Sequence, residues 1–580
     1  MTRGQRLAAV LAAVAGLLLV GRGTALLYVD RAWYASLGAS PVWHARVVNT
    51  VLMHTIAVLV GTAFAYANIT AVRSSIVSLV IPKRVGNMDI GEEIPSSRLT
   101  LVAAAMSIFI AGVATLALPS WTTLALWRSG VSFGEVDPYF RIDLGYYVTW
   151  LPLETAAYVW AIVLFVIVAI VVVVLYGLTP SLSWTGGRFR ITTHARRHIA
   201  VLGAMLVLFV AWGFRLDTYD LIVAAPHGGG YFTAFDHQWI APIDFTLCLV
   251  ALGIGVVLLV AGWMGQTLLA WISISLILAC AFVSKLVLPV VARYTTNAPS
   301  YVARNKPYAQ TRQIFTNHAF PGERTPVSSQ FAADSSLITA APRLQIRGGL
   351  PTVVYPNANG VIVEIDTGHV IRAPRVGGAI QRLMNAWAEQ NPTLLRSDLP
   401  KDAAVVRRRD LRRRVVAVAP IFSQSASIGV RPTPMGIVWM IDLYSASDRY
   451  PLSEGRTIDQ EFVTYRRHVA TAYVSATTGA VTIVPDETLD PIAKAWFGLH
   501  GGPYLAKEPP HEVTIPWTQT PSAPQVPVAD SALRTHLLNI YSRMRSALDS
   551  GDFHRFGDAF DSLGAALGVA QPQRPYHEPP

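Results

Sequence analysis

Seven apolar runs, each near the roughly 20 residues that an α-helix needs to cross a bilayer core, occupy the first half of this chain. Backbone N–H and C=O groups find no water in hydrocarbon, so such a run must close its hydrogen bonds within itself as a helix. The runs cover roughly Leu7 to Val29, Val48 to Ile69, Leu99 to Leu118, Thr155 to Leu178, Ile199 to Phe214, Ile243 to Met264 and Thr267 to Val291, the fifth being the shortest. Only 14% of the 580 residues are charged, against about a quarter in soluble domains, which excludes a wholly soluble protein. Residues 1–291 hold 29 of the 83 charged residues, so the apolar bias belongs to the seven-helix half and residues 292–580 read as more nearly globular.

Arg3 and Arg6 precede the first run, but no small-x-small cleavage pattern follows Gly21 directly, so an uncleaved anchor is expected rather than a signal peptide. Lysine and arginine accumulate on the cytoplasmic flanks of membrane helices. With the N-terminus inside, the inner flanks carry Arg3, Arg6, Arg73, Lys83, Arg84, Arg98, Arg188, Arg190, Arg196 and Arg197. The outer flanks carry Arg31, Arg46, Arg128, Arg141 and Arg215. Ten against five predicts a cytoplasmic N-terminus and an extracytoplasmic region after the seventh span. Cys248 and Cys280 both lie in apolar runs, which leaves no disulfide framework or cysteine metal site.

The expected architecture is an α-helical membrane bundle of seven transmembrane helices (1–291), a β-rich α+β extracytoplasmic domain (292–510), a Pro-rich linker (511–529) and a C-terminal helical hairpin (530–580). A further linker is read around Thr325 to Ser336. Strands are predicted at Val361–Ile365, Val415–Ala419, Gly436–Leu443, Ala470–Ala476 and Ala480–Val484, with a turn at Thr478-Gly479 and a helix at Gly378–Glu389. In the tail, Leu533, Leu537, Ile540, Met544 and Leu548 form one helical stripe, and Phe553, Phe556, Phe560, Leu563 and Leu567 another, broken at Ser550-Gly551-Asp552.

Several ordered stretches resemble an uncharacterised family of large bacterial seven-span membrane proteins with an extracytoplasmic C-terminal domain. They are Tyr34 to Gly38, Asp137 to Phe140 with Asp143 to Tyr147, Arg197-His198 leading to Trp212-Gly213 and Leu216 to Asp220, and Asn305 to Tyr308 with Thr311-Arg312. Arg409-Asp410 with Arg414 to Pro420, Gly436 to Tyr444, Arg449 to Pro451, Gly479 to Val484 and Asp490-Pro491 continue the series. The chain looks like a shortened member, with a family-typical stretch missing between Pro321 and Gly349. The resemblance implies architecture and plasma-membrane residence; it brings no activity, cofactor or catalytic residue.

Ionisable groups inside a membrane cost roughly 2.5–3.5 kcal/mol each and are the first functional suspects. Lys285 in the seventh run, Arg22 in the first and His54 in the second are the intramembrane candidates, with Asp244 near an interface. Snorkelling or a structural ion pair is the competing account of Lys285. Arg407, Arg408, Arg409, Arg412, Arg413 and Arg414 form a candidate anion-binding patch for lipid phosphates or acidic wall polymers, unless the arginines pair with acids of their own domain.

Weaker signals are the loop acids Glu135, Asp137, Asp143, Asp217, Asp220 and Asp236 as a Ca²⁺ site, the His227-Gly-Gly-Gly230 turn, and His194 with His198 four residues apart. Gly130-Val-Ser132-Phe-Gly134 spells G-x-S-x-G but lacks the strand-to-helix context of a nucleophile elbow. No combination of nucleophile, base and orienter emerges around Asp442, Tyr444, Asp448, Tyr450 or Glu454, so no catalytic residue is assigned. No cofactor or metal is implied, and nucleic acid is not an expected partner.

The leading expectation is a cell-envelope scaffold or binding protein presenting its outer domain to a protein or lipid partner. A transporter or lipid-handling permease, and an extracytoplasmic enzyme of unknown class, are the alternatives.

Overall fold

The computed structural model describes residues 3–77, 84–85, 88–89, 96–179, 181–185, 188–223, 231–288, 290–291, 300–321, 362–365, 372–395, 403–408, 410–433, 436–475, 478–510, 531–550 and 552–566. Among the described residues six helical stretches are long and apolar enough to cross a membrane: Ala9–Ser36, Ser40–Arg73, Leu99–Ala117, Tyr146–Gly177, Thr193–Asp220 and Asp236–Met264. They belong to helices α1 (Arg3–Ser36), α2 (Ser40–Val77), α3 (Ser96–Ala114), α5 (Leu151–Gly177), α6 (Thr193–Asp220) and α7 (Ala241–Met264). A short helix α4 (Trp121–Arg128) separates α3 from α5. The seventh apolar run forms a shorter helix, α8 (Thr267–Phe282), which passes into a π-helical turn at Val283–Val287. The spans turn rows of large apolar side chains outward, Leu19 at 72%, Leu59 at 65% and Phe109 at 70% exposure. In water each such row costs about 25 cal/mol per Å², so lipid is what it is shaped for.

The two ends of the bundle are dressed differently. At one end α6 begins where α7 finishes, with Arg196 Nε donating to Gly262 O at 3.0 Å. The connections there include two small antiparallel hairpins, β1 (Arg84–Val85) with β2 (Met88–Asp89), and β3 (Leu182–Thr185) with β4 (Arg188–Ile191). The other end, where α1 turns into α2, carries the strand region and is called the junction below. Helix α9 (Tyr301–Ala319) also lies at the junction, its Asn305 Oδ1 accepting from Ala234 N at 2.8 Å. The chain therefore runs from the opposite end, at Thr267, to the junction, at Tyr301.

The strand region is built on a five-stranded antiparallel sheet of β7 (Phe422–Gln424), β8 (Gly429–Thr433), β9 (Gly436–Ser447), β12 (Tyr465–Ser475) and β13 (Val481–Pro485). Strand β9 is central, pairing β12 along one edge and β7 and β8 along the other. Gly479, at φ 67°, makes the β12–β13 turn that Thr478-Gly479 predicts. Two smaller pairs stand apart, β5 (Ile362–Ile365) with β6 (Ala403–Val406), and β10 (Arg456–Ile458) with β11 (Glu461–Val463). Helix α10 (Ala379–Glu389) forms where the helical spacing predicts it.

One expected strand is a helix. Residues Val415–Val418 belong to α11 (Leu411–Val418) and Ala419 is its C-cap, because Asp410 caps the first turn by accepting from Arg413 N at 2.9 Å. Leu411, Val415 and Val418 then fall on one buried face at helical spacing, whereas β-branched composition alone suggests a strand.

The sheet core is not closed on itself. Alternate residues Trp439, Ile441 and Leu443 of β9 pack with Val415 and Val418 of α11, Trp496 and Phe497 of α12 (Pro491–His500), and Trp33, Tyr34, Leu37, Ala39 and Val42 from the α1–α2 corner. Ala125 of α4 joins the same cluster. The region after the spans and the bundle's junction loops thus bury their apolar groups in one core.

Residues 513–580 form a separate compact unit. Its helices α13 (Ser531–Asp549) and α14 (Phe553–Ala566) make the predicted hairpin, with Ile540, Ala547 and Ala559 buried and Asp552 accepting from Arg555 N at 3.1 Å. The expected linkers, Thr325–Ser336 and 511–529, lie outside the described residues.

Candidate functional site

The junction gathers three constellations. The first is aromatic. Tyr139, from the segment before α5, stacks on Tyr308 of α9 at 5.3 Å with ring planes 7° apart. Phe232 lies 4.9 Å from Tyr139, and His237 Nδ1 is 2.9 Å from the Tyr308 hydroxyl. Arg312 covers Tyr231 at 4.1 Å. Tyr139, Tyr231, Phe232, Tyr308 and Arg312, with Ile222, Leu452 and Ser453, line a cavity of about 10 Å³, the size of one water. Burial pushes the Tyr139 and Tyr308 hydroxyls above the ordinary tyrosine value, so both stay neutral donors.

The second lies towards the membrane from the first. Phe140 touches Tyr219 at 5.8 Å, and Tyr219 touches Tyr146 at 5.5 Å, in one continuous apolar cluster. Within it Glu154 of α5 accepts hydrogen bonds from Trp150 Nε1 and Trp212 Nε1, both at 2.9 Å, from the Tyr146 hydroxyl at 3.4 Å, and from the Arg215 guanidinium. Four donors and one positive charge compensate a carboxylate that is 11% exposed. Sequence reasoning missed Glu154. The available signal was a carboxylate at the start of one apolar run with Trp212 and Arg215, three apart, at the end of the next, since antiparallel spans bring those ends together.

The third is the arginine run. Arg407 pairs with Glu389 at 2.6 Å, and Arg408 with Asp30 of α1 at 3.2 Å while covering the Trp33 ring at 4.1 Å. Arg412 Nη1 donates to Ser425 O at 2.6 Å, and a second bond reaches Ala426 O. Arg414, 1% exposed, donates to Gly479 O at 2.8 Å, Arg407 O at 3.0 Å and Arg372 O at 3.3 Å. Burial lowers its guanidinium pKa to about 10. Arg413 is exposed, and Arg409 lies outside the described residues. The run therefore ties the hairpin turn, α10 and α1 together.

Within the sheet, His468 Nδ1 is 2.8 Å from Asp486 and Nε2 is 3.4 Å from the fully buried Asp442. The β9–β12 register shifts between His468 and Ala470, and such bulges re-aim the neighbouring side chain. Burial pulls the imidazole pKa down, but hydrogen bonds and charge from Asp442 and Asp486 outweigh it and raise it to about 9. Three residues this far apart in sequence meet only through strand register, which no local pattern announces.

The remaining candidates do not converge. Arg22 and His54 are exposed on α1 and α2, and His54 Nδ1 lies 2.9 Å from Thr50 O of its own helix. Lys285 sits in the π-helical turn, and its side chain lies outside the described residues. Asp244 accepts from Ser284 Oγ at 2.9 Å. His194 and His198 part company: His194 Nε2 is 2.9 Å from Ala71 O, while His198 lies 2.9 Å from both Asn68 Oδ1 and the Tyr176 hydroxyl. Asp137 accepts three backbone N–H groups, from Tyr139, Phe140 and Ile142, and Asp143 ties Gly134 and Gly145. Ser132 Oγ donates to Asp143 at 2.8 Å inside that loop. Among the described residues no cluster of three or more His, Cys, Asp or Glu is arranged to hold a metal. The His227 turn lies outside the described residues.

A family model described as an uncharacterised protein family, UPF0182, matches residues 7–341 and 369–507. The chain belongs to that family. A UPF0182 protein of Nocardia farcinica is 23% identical over 89% of this chain and 68% of its own length. One from a Synechococcus strain is 30% identical over 34% of this chain and 21% of its own, and one from a Nocardioides strain 27% identical over 51% and 30%. The matches thus span between about a fifth and two thirds of these relatives. No solved structure matches the chain.

Proposed function

We propose that this UPF0182 member is a seven-span plasma-membrane protein with a cytoplasmic N-terminus, acting as a cell-envelope scaffold or binding protein that presents residues 301–510 to a protein or lipid partner. The seventh crossing is supported by parity: α8 starts at the end of the bundle away from the junction, and α9 lies at the junction. The outward orientation is supported by the lysine and arginine bias of the flanks. The observation that carries the scaffold reading is the shared core of sheet and α1–α2 corner, because a module seated on its anchor in this way is held in a fixed pose for a partner. Of the described arginines in 407–414, Arg413 is the exposed one through which an anionic lipid or wall polymer would be met.

A second reading, a transporter or lipid-handling permease, is favoured by the Glu154–Arg215 pair beneath the aromatic cavity, since intramembrane ion pairs often line a pathway. In-cell photocrosslinking from exposed positions of residues 410–510 separates the two. The scaffold reading expects a discrete protein or lipid adduct that survives Lys285→Met and Glu154→Gln. An absence of any specific adduct, together with solute or lipid flux lost in Glu154→Gln, would replace it with the permease.

A further inference from the structure

Helix α10 carries one apolar stripe, Ile380, Leu383, Met384 and Trp387, and only part of it is covered. Met384, Trp387 and Ala388 pack on Ala25 and Val29 of α1. At Gly21 the approach is closest, since a Cβ there would fall 2.1 Å from Trp387 Cη2, so glycine is what admits the indole. Ile380 and Leu383, at the other end of the same stripe, are 66% and 46% exposed.

The contacts fix the depth of this helix. Gly21, Ala25 and Val29 lie inside the apolar stretch Ala9–Ser36, with the exposed Arg22 beside Gly21, and the first charged groups beyond Val29 are Asp30 and Arg31. Eight residues of helix are about 12 Å long, so the Met384–Ala388 part of α10 lies alongside roughly the last 12 Å of α1 before Asp30. On the same span Leu18, Leu19, Leu26 and Leu27 are exposed to whatever surrounds the bundle. Ile380 and Leu383 stand within two helical turns of the contacts that Met384 and Trp387 make with α1, on the same stripe of α10. Among the polar groups of α10, Asn385 is buried and Glu389 is bound by Arg407, while Gln381 accepts from Gly378 N and Arg382 donates to Gly377 O at the start of the helix.

We propose that α10, although it lies far beyond the spans in sequence, is a membrane-immersed amphipathic helix whose Ile380 and Leu383 enter the acyl region of the leaflet on the junction side. The helix is then a second, lateral anchor that fixes the strand region against the bilayer surface. This requires α1 to span a bilayer and holds whichever face of the membrane the junction occupies.

The test uses the full chain with Cys248→Ala and Cys280→Ala, carrying a single environment-sensitive fluorophore at Ile380→Cys, Leu383→Cys or, as the embedded standard, Leu19→Cys. The proteins are reconstituted in phosphatidylethanolamine–phosphatidylglycerol vesicles with lipids spin-labelled near the headgroup end of the chain. Blue-shifted emission and quenching at 380 and 383 like those at 19 are expected. Emission at 380 and 383 matching the dye on free cysteine in buffer, with 19 quenched, overturns the proposal. A water-like signal at 19 overturns it through the span itself, which separates the two failures. Because labelling replaces apolar residues, Ile380→Trp and Leu383→Trp, tested by protection of α10 from protease in vesicles but not in detergent, give an independent reading.

Discussion

Residues 407–414 and residues 379–389 are neighbours in the fold, and each shows the exposure that its composition would assign to the other. The first stretch is the most basic in the chain, yet Arg414 is 1% exposed and Arg407 and Arg408 are held by Glu389 and Asp30. The second is apolar at helical spacing, yet Ile380 is 66% exposed. The contrast follows from where they lie. At the junction of a bundle with a folded region, guanidiniums satisfy backbone carbonyls and carboxylates of neighbouring elements, and the outward turn of Ile380 is what the proposed immersion of α10 accounts for.

The largest effect should come from Arg414→Met. It removes the buried donors to the Gly479, Arg407 and Arg372 carbonyls, and stranding several such groups after losing one charged partner costs about 3–5 kcal/mol. Thermal unfolding of the strand region in detergent should show it; a loss below about 1 kcal/mol would mean that the run is a solvated surface after all.

Next is the pH dependence carried by His468. Its folded pKa of about 9 lies above the unfolded value of 6.5, so protonation favours the folded state. That contribution, on the order of 3 kcal/mol at most, is complete below pH 6.5 and disappears as pH rises through about 9. His468→Gln should flatten the stability profile between those values; an unchanged slope would remove the histidine from the account.

A smaller effect, about 1 kcal/mol of coupling, is expected in a double-mutant cycle between Asp30→Asn and Arg408→Gln, because both groups are partly exposed and screened. The smallest is Arg413→Gln, which leaves stability unchanged within about 0.5 kcal/mol and, if Arg413 is the contact for anions, weakens cosedimentation with anionic vesicles alone.

Much of this was legible in the sequence because it depends on local period. The apolar runs, the hairpin at Thr478-Gly479, α10 and the α13–α14 hairpin each follow from spacing and turn residues that act within a few positions. What spacing does not carry is long-range satisfaction. The strand read at Val415–Ala419 is instead the last turn and C-cap of a helix, because Asp410 caps its start and Trp33, from the α1–α2 corner, packs in the same core. Glu154 and the Asp442–His468–Asp486 group become sites only when antiparallel spans or shifted strands bring distant residues together. The arginine run was visible as charge, but its partners, the Gly479 carbonyl and Asp30, are supplied by elements far away in the chain.

The proposed topology puts the strand region and the N-terminus on opposite faces of the membrane, with the former seated on the junction. Single cysteines at Gly4 and at Thr457, in the Cys248→Ala and Cys280→Ala background, measure it directly through a membrane-impermeant maleimide applied to intact and to permeabilised cells. The account predicts that Thr457→Cys reacts in intact cells and Gly4→Cys only after permeabilisation. Reaction of both positions under the same condition would put them on one face, requiring an even number of crossings and contradicting the account.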